Sequence, residues 1–433
     1  MATTPQNPAS AAAPEALSMR AVLGIPTMRR LWYAQIVSVF GDFLALFAVI
    51  GVLTFQLHGT PQQVTGLQIA YQLPIALLGI LAGVFVDRWP LKPTMVSSDL
   101  ARAALCLLLL FATSLWHFYA VLAAISVVSS FFTPAQGVAI RSAVPLHGLR
   151  SANALIQQVM FVMRIAGPAL AGLLVASFGA RSCYLADAAS FAASATLIAS
   201  IALKRPEPIP HPESLGKELI EEELNGIARV WSDMKQGIRF IVHHAGLLFV
   251  IVALASAMFV LGCFGPLIAV YVRDTLHAST RIFGAASAMI GFGILIGMNV
   301  LNTLAKNVRN AVLVYSGLAG IAVGLALLTL IAAVWSTLLG DFIIGFAVAA
   351  IIIPSQTMIQ QETPPALMGR VGSTVMSLVF TAQIGGLVLS GILAERIGVR
   401  HVFAVCGLLL ALLIAAGRLW MEPKEPTEPP TAA

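Results

Sequence analysis

The chain has 433 residues, of which 58% are hydrophobic and only 10% charged, against roughly 25% charged in an ordinary soluble protein. That composition excludes a soluble globular domain, and the absence of ~10-residue alternating segments excludes a transmembrane β-barrel. The net charge of +6 would suggest nucleic acid as a partner in a soluble protein, but orientation in a bilayer accounts for it here.

In chain order, residues 1–28 begin with a stretch rich in Ala, Pro, Ser and Thr and predict a disordered cytoplasmic tail, not a cleaved signal peptide. A membrane span needs about 20 mostly apolar residues, and successive runs of that length follow. In an N-terminal half, 29–203, they fall at 30–57, 63–86, 94–114, 116–140, 151–177 and 181–203. A polar segment, 204–243, comes next. Its first part is proline-rich and acidic and reads as a linker. Its second part, from Ile227 to Ile241, has apolar residues at helical spacing. It reads either as an amphipathic helix on the inner leaflet or as an extension of span seven. A C-terminal half, 244–420, holds runs at 244–272, 282–305, 311–331, 333–360, 369–393 and 398–420. Residues 421–433 predict a second disordered cytoplasmic tail. The expected fold is all-α and integral to the membrane: twelve transmembrane helices in two six-helix bundles.

An even number of spans puts both termini on one side. With that side cytoplasmic, most of the 25 Lys and Arg fall on inner loops and helix ends, as the positive-inside rule requires. The four cysteines, Cys106, Cys183, Cys263 and Cys406, stand singly in different spans, so no metal, redox motif or cofactor is expected.

The halves repeat each other. Pro134-Ala-Gln136 matches Pro354-Ser-Gln356, Pro145 matches Pro365 and Arg150 matches Arg370, all at an offset of 220. Leu57-His58 matches Leu276-His277 at 219. Parallel repeats of six spans imply a central cavity between two rocking halves.

Between spans two and three lies a short charged loop containing Gly83, Asp87, Arg88 and Lys92. With the six-plus-six layout and the long middle segment, these residues resemble the major facilitator superfamily, whose loop pattern is Gly-x-x-x-Asp-Arg/Lys-x-Gly-Arg/Lys-Arg/Lys. Pro90 and Leu91 depart from it. The resemblance implies that Asp87 latches onto the cytoplasmic start of span eleven, near Arg370, when the inside is closed. A carboxylate at a helix N-terminus is favoured by the free N–H groups there. The corresponding place in the second half has Lys306, so a single latch is expected. In span five, Gly167, Pro168 and Gly172 resemble the Gly-Pro-x-x-Gly-Gly signature of exporters and antiporters in this superfamily, with Ala171 in place of one glycine. Phe40-Gly41-Asp42, the Asp87-Arg88-Trp89 loop and Ser151-Ala-Asn153 resemble the branch of macrolide and siderophore exporters. That resemblance implies a monomeric transporter in a bacterial inner membrane.

A charge at mid-membrane costs at least about 2.5–3.5 kcal/mol and is a functional candidate by default. Asp42 in span one and Arg164 in span five are expected at similar depth, about 18 and 20 Å by the helical rise. We expect them to pair, or to compete for proton and substrate. A static ion pair holding the half together is the competing reading. Asp341 in span ten is a candidate substrate or proton contact, or a packing residue. Asp187, in peripheral span six, is expected to be structural, and Asp99 and Arg102 to form a local i,i+3 pair near the charged loop. Cavity candidates are Gln35, Gln68, Tyr71, Gln72, Met160, Phe264 and Gln383, whose amphipathic side chains suit varied ligands.

The expected activity is proton-coupled efflux of amphipathic small molecules, with a small-molecule substrate, protons and the bilayer as partners and no nucleic acid. A lipid flippase or nutrient facilitator on the same fold is the alternative. An integral-membrane lipid enzyme lacks support, since the chain has neither a Gly-x-Ser-x-Gly turn nor a phosphate loop.

Overall fold

The computed structural model describes residues 17–86, 88–203, 235–304, 308–364 and 367–420. Twelve long helices run through them: α1 (Pro26–Gly51), α2 (Pro61–Val86), α3 (Leu91–Leu108), α4 (Leu115–Ala143), α5 (Leu149–Phe178), α6 (Ala180–Ala199), α7 (Ala245–Asp274), α8 (Thr280–Leu304), α9 (Asn310–Leu330), α10 (Val334–Glu362), α11 (Met368–Ile397) and α12 (Val399–Trp420). Among the described residues, ten of these are long and apolar enough to cross a membrane. The other two, α2 and α5, have 26 and 30 residues.

The tail expected over 1–28 is ordered at its end. Met19–Gly24 form a short helix whose first turn is capped by Ser18, the Ala21 N–H donating to its Oγ at 3.2 Å. Leu17 N donates to the His147 carbonyl, and Ser151 Oγ donates to the Leu17 carbonyl at 2.6 Å. Val22 is fully buried. The low-complexity composition just before it hid this anchor. The middle segment's linker, 204–234, lies outside the described residues, as does the tail 421–433. Residues 235–242 form a helix separate from α7, since His244 has extended backbone between them. It rests on the start of α11, where Arg370 Nη1 donates to Gln236 Oε1 at 2.6 Å.

The two halves pack by one plan. α1 lies against α5 and α6, α2 against α4, and α3 against α4 and α6. Six helices later, α7 lies against α11 and α12, α8 against α10, and α9 against α10 and α12. Backbone details repeat as well. The four described residues at positive φ are His58 (51°) and His277 (48°), and Gly179 and Gly398 (both 81°). Each pair is separated by the repeat offset. Gly179 both ends α5 and starts α6, and Gly398 does the same for α11 and α12, where an L side chain is disfavoured.

Apolar lipid gives helices no hydrophobic reason to associate, so close van der Waals contact must hold them. Gly167 supplies it in the first half: a Cβ there would stand 2.7 Å from Phe43 Cβ on α1. Gly386 is its repeat counterpart on α11, pressed against the Phe259 carbonyl of α7, and Cys263 Sγ donates to the Gly386 carbonyl at 3.2 Å.

Between halves, α2 meets α11 and α5 meets α8. The termini lie on one face of the bundle, here the terminal face. The α1–α2 and α7–α8 turns lie on the opposite, far face. Every hydrogen bond joining described residues of the two halves is at the far face: Thr60 Oγ1 donates to Glu395 Oε1 at 2.6 Å, and Arg273 Nη1 donates to the Thr54 and Gly59 carbonyls at 2.8 Å each. Phe283 of α8 stacks with Phe47 of α1 at 5.5 Å there. The apolar core divides accordingly. One cluster runs across both halves and includes α1 only from Leu44 onward. A second, around Met28, Leu31, Met95 and Phe132, lies at the terminal end of the N-terminal half and has no member from the other half.

Gly386→Val tests the close-approach argument. Overpacking of this kind costs about 1–3 kcal/mol. The variant is expected to unfold at clearly lower temperature in detergent than Gly385→Val, whose Cβ meets open space.

Candidate transport site

Four helices bring a polar cluster into the N-terminal half. α3 presents Asp99, Arg102 and Cys106 at spacings of three and four, so all lie on one face. Arg102 forms an ion pair with Asp99, and Ser194 Oγ of α6 donates to Asp99 Oδ2 at 2.7 Å. The guanidinium lies over the rings of Phe132 and Phe191, 4.3 Å from each centroid. Asp99 has no exposed surface. This is the i,i+3 pair expected from the sequence, and it is buried because that face of α3 meets α6.

One turn farther along α3, Cys106 Sγ donates to Asp187 Oδ2 at 3.0 Å, and Ser190 Oγ donates to Oδ1 at 3.3 Å and to the Asp187 carbonyl at 2.8 Å. Gly41 of α1 lies directly against this pair: a Cβ there would overlap Asp187 Oδ1 and stand 2.9 Å from Ser190 Cβ. The next residue on α1 is Asp42, half-buried, to which the Tyr71 hydroxyl of α2 donates at 3.5 Å. Arg164 is on α5, where Gly167, one turn later, meets Phe43 of α1. The side chains of Arg164, Pro168 and Gly172 lie outside the described residues.

Of the cavity candidates, Gln35 and Met160 come together: Gln35 Nε2 donates to Met160 Sδ at 3.7 Å, while Gln136 Nε2 of α4 donates to Gln35 Oε1. Gln136 was visible in the sequence only as part of the repeat. Gln68, Tyr71 and Gln72 are half-buried on α2 and spaced along one face. In the other half, Gln356, the counterpart of Gln136, lines a cavity of about 280 Å³ between α8 and α10 with Met298, Ile294 and Gln360. Gln383 is half-buried on α11, its carbonyl against Gly262 of α7.

Two further candidates, Phe264 and Asp341, are buried in their own half. Phe264 is buried within the C-terminal half, 5.2 Å from Phe403 of α12, because its face of α7 turns away from the first half. Asp341 is fully buried on α10, between the side that meets α9 through Gly340 and the side that meets α8 through Gly345. Neither carboxylate oxygen has a hydrogen-bond partner among the described residues.

Of the expected latch, Asp87 and Lys306 lie outside the described residues, as does anything concerning Gly83 beyond its place in α2. Arg88 is exposed at the end of α2, and Lys92 is half-buried in the first turn of α3. Arg370 starts α11 beside Gln236. Arg273 at the end of α7 donates across the far face to the first half. Nothing in the sequence pointed to its carbonyl partners 214 and 219 positions away.

The sequence pattern of the Major Facilitator Superfamily matches residues 31–386 and 317–433. A transporter of this type from Bacillus subtilis (strain 168) is 28% identical over 386 residues, covering 88% of this chain and 89% of the relative. Macrolide efflux protein A of Streptococcus pyogenes is 25% identical over 395 residues, covering 88% and 92%. The crystal structure of a bacterial homologue of the iron transporter ferroportin in an inward-facing state superposes with a TM-score of 0.66 at 16% identity, covering 90% and 98%.

Removing one partner of a buried ion pair costs about 3–5 kcal/mol, while replacing both by apolar residues is often near neutral. Arg102→Met is therefore expected to lower the unfolding temperature sharply, and Asp99→Leu/Arg102→Met to recover most of the loss. Thermal unfolding of the purified variants, read by intrinsic fluorescence, checks both.

Proposed function

The chain belongs to the Major Facilitator Superfamily of membrane transporters, and from that premise we propose that it is a proton-driven exporter of amphipathic small molecules working by alternating access. The observation that supports this reading is the placement of the described hydrogen bonds between halves at the far face, with a separate described core at the terminal end of the N-terminal half. In the proposed cycle the molecule opens at the face where its described ends lie.

In this reading the termini are cytoplasmic and the membrane is a bacterial inner membrane, in accord with the Lys and Arg distribution. Substrate enters between the halves from the cytoplasm or inner leaflet. It meets a wall of uncharged amphipathic side chains, with Gln35, Gln136 and Met160 on one half and Met298 and Gln356 on the other. Met adapts its shape to varied apolar surfaces, and a Gln amide offers both donor and acceptor. Such a wall suits a drug-like or macrolide-like compound, in keeping with the efflux relative. Closure of the terminal face docks Asp87 on the start of α11 near Arg370, and the far-face contacts separate. A proton arriving from outside binds Asp42, which the Tyr71 hydroxyl orients, and substrate is released. The protein works as a monomer, since each chain contains both halves.

Purified protein in liposomes, under an imposed proton gradient and with a panel of macrolides, cationic dyes and catecholate siderophores, tests this. Gradient-dependent movement of one class is expected, with at least a tenfold loss in Asp42→Asn. Movement indifferent to the gradient would point instead to a facilitator or flippase. Arg273→Ala tests the far-face clasp. It removes two hydrogen bonds from a charged donor, each worth about 1.5–3 kcal/mol when well made. We expect the far-face-open population to rise at least tenfold, read as a longer distance between spin labels in Gln56→Cys/Arg396→Cys.

A further inference from the structure

We propose that Asp187 of α6 is a second proton-binding residue of the transport cycle, sharing one proton with Asp42 across the Gly41 contact. The inference rests on the proton-driven reading above and adds to it a site in a helix that does not face the other half.

Three carboxyl groups, Asp42, Asp99 and Asp187, and one guanidinium, Arg102, occupy the described interior of the N-terminal half. Arg102 is committed to Asp99 by a direct ion pair and held in place by two aromatic rings. Asp42 and Asp187 then lie close together without a described ion-pair partner. Asp187 is almost wholly buried at 1% exposure, and its described hydrogen-bond donors are a thiol and a hydroxyl. The backbone contact at Gly41 makes them neighbours: Asp187 Oδ1 occupies the space a side chain at 41 would fill, and Asp42 is the next residue. Two acids this close in a low-dielectric interior do not both ionise, because each charge raises the cost of the other. One proton therefore serves both. With the proton on Asp42, Asp187 carries the charge. With the proton on Asp187, Asp42 carries it and is free to act on substrate or Arg164. Nothing else is gained or lost.

The surrounding groups are few. α3 contributes Asp99, Arg102 and Cys106, α2 contributes Tyr71, and α6 itself contributes Cys183, one turn before Asp187. α4 presents the apolar Phe132, and α5 carries Arg164. A residue that only packed α6 against α1 would need neither a carboxylate nor a donor from each side. Its replacement by the isosteric amide would leave the pH dependence of transport in place.

The test compares wild type, Asp187→Asn and Cys106→Ala in liposomes, using the substrate found in the panel above. Two assays are run: gradient-driven accumulation across pH 5.5–8.5, and substrate exchange without a gradient. We expect Asp187→Asn to keep exchange within about twofold of wild type while accumulation falls at least tenfold. In Cys106→Ala, which keeps the carboxylate and removes its thiol donor, the midpoint of the pH profile should move by half a unit or more. Wild-type accumulation that ignores the gradient would overturn the proton-driven reading and this inference with it. A proton-driven wild type whose profile is unchanged in both variants would overturn the inference alone. If Asp187→Asn proves unstable, the Cys106→Ala profile decides.

Discussion

Helices in hydrocarbon gain nothing by hiding apolar surface from lipid, so the arrangement of twelve of them depends on how closely their backbones can approach. Gly167 against Phe43 and Gly386 against Phe259 fix α5 to α1 and α11 to α7 at matched places. Each half is thereby a close-packed body that resists bending. Movement is left to the interface between halves, where the described hydrogen bonds are few and gathered at one face. In the proposed cycle, rocking follows from the contrast between close packing within each half and the few described hydrogen bonds between them.

As mechanical bodies the halves are equals, but their chemistry differs. Backbone features survive duplication: the paired positive-φ residues at 58 and 277 and at 179 and 398, and the prolines within α4 and α10. The charged interior does not. Asp99, Arg102 and Asp187 have no described counterpart in the C-terminal half, which buries the single carboxylate Asp341. Backbone geometry is needed twice, because both halves must fold and turn the same way. In the proposed cycle a proton-binding cluster is needed once, since one half that changes charge can bias the position of the whole molecule.

Twelve spans were legible in the sequence because an apolar run of about 20 residues has few other uses, and Gly, Pro and charged residues marked the ends. The repeat was legible because turn residues are tied to backbone shape. Asp42, Gln35 and Met160 could be nominated because polar atoms are scarce in these helices, and the structure does bring Gln35 to Met160. What the sequence hid were facing directions and distant partners. Phe264 and Asp341 lie on sectors of α7 and α10 that turn into their own half. Arg102 lies close to a loop in sequence, yet its face of α3 is covered by α6. Arg273 reads as one more outer charge until its carbonyl partners are in view.

Opposite chemistries close the two ends in the proposed cycle. At the far face a guanidinium donates to carbonyls at the end of α1 and in the following turn, groups freed because helix ends leave carbonyls without intrahelical partners. At the terminal face the latch would be a carboxylate at the start of α11, where free N–H groups point outward. Each clasp thus uses one charged side chain from one half and the bare end of a helix from the other. Because helix ends are rigid and already unpaired, breaking a clasp returns them to water without unwinding anything. That keeps the energy difference between the two states small, as a transporter that must visit both requires.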